Sequence, residues 1–141
     1  MGNISHRLGK AIPLEQLKEH CGGRDLQAEV FERLRQGLYP IQAYVDLHRL
    51  SVDEGRRVVE SFIWESYLKG LQCVLVVHGK GRNSRGGVAV LKQRIPAWLR
   101  TGRMRKVVKA YASALPIDGG LGALYVLLEP SRKYASTRWS E

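Results

Sequence analysis

The chain has 141 residues, 44% of them hydrophobic, with 23 lysines and arginines against 13 aspartates and glutamates and a formal charge of +10. That is one domain's worth of core, with no apolar window long enough to span a membrane. The positive excess favours a polyanionic partner, because each phosphate neutralised releases condensed counterions. Two cysteines, Cys21 and Cys73, build neither a disulfide framework nor a zinc site, and the polar start from Met1 to Lys10 lacks the apolar stretch of a signal peptide. A soluble cytoplasmic protein that does not enter the membrane is expected.

In chain order, residues 1–12 read as loosely attached, and Pro13 opens a helix over residues 14–20 that Gly22-Gly23 stops. A second helix is predicted from Asp25 to Arg35, with Leu26, Val30 and Leu34 as a narrow apolar stripe and Gly37 as its stop. Residues 1–40 therefore form a helical arm that docks on the domain or on a partner. Pro40 ends the helical pattern, and Ile41 to Leu47 reads as a first strand with Tyr44, Asp46 and His48 on one face. Ser51 with Glu54 fits a capping box that starts a helix to about Lys69, buried through Val52, Val59, Phe62, Ile63 and Ser66 and closed by Gly70.

Residues 72–77 are almost continuously apolar and β-favouring, as in a strand covered on both faces. A basic, glycine-rich loop from Gly79 to Gly87 follows, then a helix through Val88, Leu91, Ile95, Trp98 and Leu99 with a kink or restart at Pro96. Arg105 to Tyr111 is expected as a third strand, 116–122 as a glycine-rich turn, and Ala123 to Leu128 as a fourth strand. The order is βαβαββ, an α/β fold with a small mixed sheet over residues 41–130, and residues 131–141 form a basic tail.

The two βα junctions carry the chemistry. Parallel strands of a βαβ unit end at the same edge of the sheet, where open α/β sheets hold ligands. One strand closes on Asp46-Leu47-His48, in which a carboxylate two residues from an imidazole can orient it for proton transfer; the other closes on His78-Gly79-Lys80-Gly81, in which glycine amides and a lysine suit an anion. The spacing is not that of a Walker A loop. Without the other cluster, the first reads better as a strand-end carboxylate bonding a turn amide beside an exposed histidine, and the second is a weak signal that also reads as a glycine turn.

The set Asp46-Leu47-His48, His78-Gly79-Lys80-Gly81, Leu91-Lys92, Trp98-Leu99 and Gly119-Gly120-Leu121-Gly122-Ala123, in this order, resembles the Smr (small MutS-related) domain family over residues 34–129. The short form with a helical N-terminal extension is similar to the bacterial stand-alone members. The resemblance implies a two-layer α/β sandwich similar to the C-terminal domain of translation initiation factor three, with endonuclease activity on messenger RNA at stalled or collided ribosomes or on DNA. It places the family's Asp-Leu-His and His-Gly-x-Gly motifs on Asp46, Leu47 and His48 and on His78, Gly79, Lys80 and Gly81, with Gly119, Gly120 and Gly122 as structural glycines. Many members carry glycine where this chain has Arg49.

The expected chemistry is metal-free RNA cleavage, with His48 and His78 as base and acid in an order the sequence leaves open, Lys80 on the phosphorane and Asp46 holding His48. Arg49, Gly79, Gly81, Arg82, Arg85, Lys92, Arg105 and Lys106 are the expected nucleic-acid contacts. One alternative is magnesium-assisted DNA nicking through Asp46, with Asp53, Glu54 and Asp118 as more distant carboxylates. The other is a non-catalytic adaptor that grips RNA or a ribosome through its basic residues.

Overall fold

The computed structural model describes residues 25–79 and 87–131. The expected helix over residues 14–20, the loop positions Lys80, Gly81, Arg82 and Arg85, and the tail from residue 132 lie outside the described residues. The elements are α1 (Asp25–Arg35), β1 (Tyr44–Asp46), α2 (Val52–Leu68), β2 (Cys73–Val77), α3 (Gly87–Leu99), α4 (Met104–Val107), β3 (Val108–Ser113) and β4 (Ala123–Leu128). Two single 3-10 turns, Pro116–Asp118 and Gly120–Gly122, precede β4.

The four strands form one mixed sheet in the order β1-β2-β4-β3. β1 runs parallel to β2, and β4 is antiparallel to both β2 and β3. Alternation along β2 divides the core. Val74 and Val76 face a cluster with Leu47, Val59, Ile63, Leu91, Ile95, Trp98 and Leu99, which is the layer of α2, α3 and α4. Cys73 and Leu75 face the other way, onto Phe31, Leu34, Tyr125 and Leu127. Burial pushes the Cys73 thiol up to about 12, so it is an inert part of this core.

Local chemistry accounts for the helix boundaries. Ser51 accepts the Glu54 N–H at 3.1 Å and Glu54 accepts the Ser51 N–H at 2.9 Å, the reciprocal capping box that starts α2. The Glu54 carboxyl is held below its ordinary pKa, first by the Ser51 backbone N–H. At the far end Gly70, with φ 77°, donates to Tyr67 O and Leu71 donates to Ser66 O, the paired bonds of a left-handed helix stop. Gly37 and Leu38 close α1 in the same way, onto Leu34 O and Arg33 O.

Several sequence expectations are corrected. The stripe expected on α1 holds at Val30 and Leu34 and is joined by Phe31, which a spacing of four leaves out; these residues pack on the second face of the sheet, so this part of the arm docks on the domain itself. Residues Met104–Val107 form one turn of helix rather than the start of β3, because Met104 and Val107, three apart, are both buried. Helix α3 runs through Pro96 without a restart, losing one N–H at its last turn instead.

Candidate active site at the end of the parallel strand pair

Asp46 of β1 is in register with Val77 of β2, and Leu47 N–H donates to Val77 O at 2.7 Å. Beyond this bond the β1 segment leaves the sheet. Leu50 N–H returns to Leu47 O at 3.1 Å, closing a tight turn whose third residue, Arg49, has φ 72°. Such a turn favours glycine at that position, so this chain keeps its geometry with a strained arginine.

Asp46 Oδ1 accepts the backbone N–H of His48 at 2.9 Å. The expected bond from this carboxylate to the His48 imidazole is replaced by a bond to the backbone, because the extended alternation ends at Asp46 and His48 belongs to the turn. Both side chains are exposed.

His78 continues β2 by donating its N–H to Gly122 O at 2.8 Å, and Gly79, with φ 88°, donates to the same carbonyl at 3.0 Å. The His78 side chain is 2% exposed, and its ring Nδ1 lies 2.8 Å from Gly79 O. A carbonyl only accepts, so Nδ1 carries the proton and the lone pair of the neutral ring sits on Nε2. Burial pushes the His78 pKa down, the Gly79 bond opposes this, and the charge of Lys92 adds to the lowering. His78 is thus held in its neutral form.

The two motifs meet at one edge of the sheet but from opposite faces. Asp46 shares the face of Val77 and Leu75, on the side of α1, whereas His78 alternates to the side of α3. The glycine turn completes the edge. Gly119 has φ 117°, and a Cβ there would lie 2.9 Å from the Ala123 Cβ. Gly122 supplies the carbonyl that holds His78 and Gly79. Tyr125 braces the turn from the core: its hydroxyl donates to buried Asp118 and accepts Leu115 N–H at 3.2 Å.

Two carboxylates offered to a metal are engaged elsewhere, Glu54 in the helix cap and Asp118 with Tyr125. Among the described residues no three or more His, Cys, Asp or Glu side chains gather where they could hold a metal ion. Of the expected nucleic-acid contacts, Arg49 lies in the turn with its side chain exposed, Lys92 is exposed on α3, and Arg105 and Lys106 are exposed on α4. Sequence reasoning placed Tyr44 on the Asp46 face of β1 without giving it a role, and it is 70% exposed there.

The model of the Smr domain family matches residues 45–129. A probable DNA endonuclease, SmrA, from Escherichia coli is 38% identical over 91% of this chain and 66% of its own length. A ribosome rescue factor, SmrB, from Aliivibrio fischeri is 33% identical over 74% of this chain and 54% of its own length. The chain thus spans less than two thirds of these relatives. Among solved structures, YdaL, a stand-alone small MutS-related protein from Escherichia coli, superposes with a TM-score of 0.63 at 41% identity, covering 75% of this chain and 79% of that one. The Smr domain of Thermus thermophilus MutS2 gives 0.53 at 35% identity, over 62% of this chain and 99% of that one.

Proposed function

As the chain belongs to the Smr domain family, we propose that it is an endonuclease that cleaves phosphodiester bonds of RNA by acid–base chemistry, acting on messenger RNA at stalled or collided ribosomes. The observation that carries this reading is the Leu47–Val77 bond, which joins the Asp46-Leu47-His48 turn to the strand end bearing His78 and Gly79. The names of two relatives, a probable DNA endonuclease and a ribosome rescue factor, support phosphodiester cleavage and a ribosomal setting and leave the choice of RNA to the proposal.

In this mechanism one imidazole takes the proton of the ribose 2′-hydroxyl as its oxygen attacks phosphorus, and the other protonates the departing 5′-oxygen. The products are a 2′,3′-cyclic phosphate and a 5′-hydroxyl. His78, neutral with its lone pair on Nε2, suits the base, and exposed His48 suits the acid. Lys80 and the amide of Gly81 stabilise the charged phosphorane, the Gly79 N–H being held by Gly122 O. Asp46 is a positioning residue, because its carboxylate fixes the backbone of the turn that carries His48.

A second reading, metal-assisted DNA nicking, is favoured by the relative named a probable DNA endonuclease. End-group analysis separates the two. Labelled single-stranded RNA incubated with the protein in excess EDTA should yield 2′,3′-cyclic phosphate ends. Nicking of supercoiled plasmid only when magnesium is added, with RNA left intact, would overturn the RNA mechanism.

A further inference from the structure

A second basic feature lies away from the candidate active site, at the open edge of the sheet formed by β3. A cleft of about 530 Å³ is lined by Phe31, Leu99, Arg100, Arg105, Lys109 and Tyr111, with Val108 and Ala110 between them. Its size suits one nucleotide unit. Three cationic side chains from three segments converge on it, and no acidic residue lines it. Arg100 Nη1 donates to the Tyr111 hydroxyl at 2.8 Å, which fixes one guanidinium against the strand.

The backbone presents the third cation. Val108 pairs with Leu128 and Ala110 with Leu127, so Lys109 is the extra residue of a β-bulge. Bulges re-aim a side chain and recur beside binding sites. The cleft occupies the first part of β3, where Tyr111 pairs with Val126 and Val108 with Leu128, whereas His78 bonds to Gly122 at the other end of β4. Four to six residues of β4 separate the two places, roughly 13–20 Å at about 3.3 Å per residue.

We propose that this cleft is a second RNA-binding subsite, in which Arg100, Arg105 and Lys109 hold backbone phosphates of the strand while another part of the same strand lies at the Asp46–His48 edge. It rests on the nucleic-acid reading of the protein but not on cleavage. A lysine and a bulge on an edge strand also block edge-to-edge pairing between copies. That role alone predicts self-association of the neutralised variant with unchanged RNA affinity.

The test is equilibrium binding of a labelled single-stranded 2′-O-methyl oligoribonucleotide, which lacks the attacking hydroxyl, to the full chain at several salt concentrations. Arg105→Glu/Lys109→Glu should weaken binding by about tenfold or more near physiological salt and lower the log–log salt slope by about 1.4, as two lost contacts to a single strand require. Arg57→Glu/Lys69→Glu, with the same change in net charge at exposed positions on α2 and at its C-terminal cap, should bind within about twofold of wild type. The milder Arg105→Gln/Lys109→Gln should lower the slope in the same direction, which guards against a folding defect. Equal losses in both charge-reversed proteins, or no loss in either, would overturn the subsite. Because no cleavage is read, an inactive enzyme leaves this result standing, and a failed subsite leaves the nuclease test standing.

Discussion

Arg49 and His78 are single residues whose local physics makes measurable demands. Arg49 occupies a left-handed conformation at φ 72°, which costs an L-residue with a Cβ roughly 1–2 kcal/mol, partly offset by the lower chain entropy of the unfolded arginine. Arg49→Gly should therefore raise stability by about 0.5–1 kcal/mol, read as a higher thermal midpoint. An unchanged or lower midpoint would mean that the arginine side chain offsets the strain through its own contacts. His78 has a folded pKa below its ordinary 6.5, so the folded chain binds fewer protons than the unfolded one as pH falls. Its contribution to stability is complete above 6.5, declines as pH drops from there to the lowered folded value, and is level below. Denaturation midpoints at pH 7.5 and pH 5 should fall more for wild type than for His78→Gln. Equal falls would show that burial does not hold the ring neutral. That the segments carrying Asp46, His48 and His78 meet at one end of the parallel strand pair was legible in the sequence. The partner of the Asp46 carboxylate was not, because it depends on where the strand stops.

Among the elements, the glycine turn before β4 fixes the position of His78 through the Gly122 carbonyl. Gly119→Ala would force a side chain into a backbone region at φ 117° and against the Ala123 Cβ. A loss of about 1–3 kcal/mol in unfolding free energy is expected, together with lower nuclease activity. Full activity with intact stability would show that the turn tolerates a Cβ. The sequence located this turn and every strand, since glycine runs and β-branched runs are local signals. It misread residues 105–107, where the pair Val107-Val108 suggested a strand from Arg105 but the spacing of Met104 and Val107 suits one turn of helix. It also missed Phe31, which is apolar at the right offset from Leu34 but needed the bare second face of the sheet to give it a role.

For the molecule as a whole, α1 is part of the core. Phe31 and Leu34 are each 1% exposed and cover Cys73, Leu75, Tyr125 and Leu127. Burying two such side chains is worth about 3–6 kcal/mol, a large share of the roughly 5–15 kcal/mol that stabilises a domain. Deleting residues 1–36 should therefore give a chain that aggregates or unfolds at ambient temperature, by circular dichroism and gel filtration. A folded, monomeric product would show that the sheet stands without its second cover. The βαβαββ order and the mixed sheet were readable from periodicity and turn chemistry, and the order of strands in space follows from two parallel crossovers, β1 to β2 and β2 to β3, and one antiparallel return, β3 to β4. The bulge at Lys109 and the cleft beside it were not readable, because they arise from the register between β3 and β4.

Cleavage of labelled single-stranded RNA in EDTA should be compared between wild type, Asp46→Ala, His48→Ala and the double variant, each checked for its fold. Wild type should cut, His48→Ala should lose about 100-fold or more in rate, and Asp46→Ala should lose less, as a residue that positions the turn. The double variant should be no slower than His48→Ala, because both substitutions act on the same imidazole. RNA cut by His48→Ala at the wild-type rate would contradict the assignment of this edge as the active site.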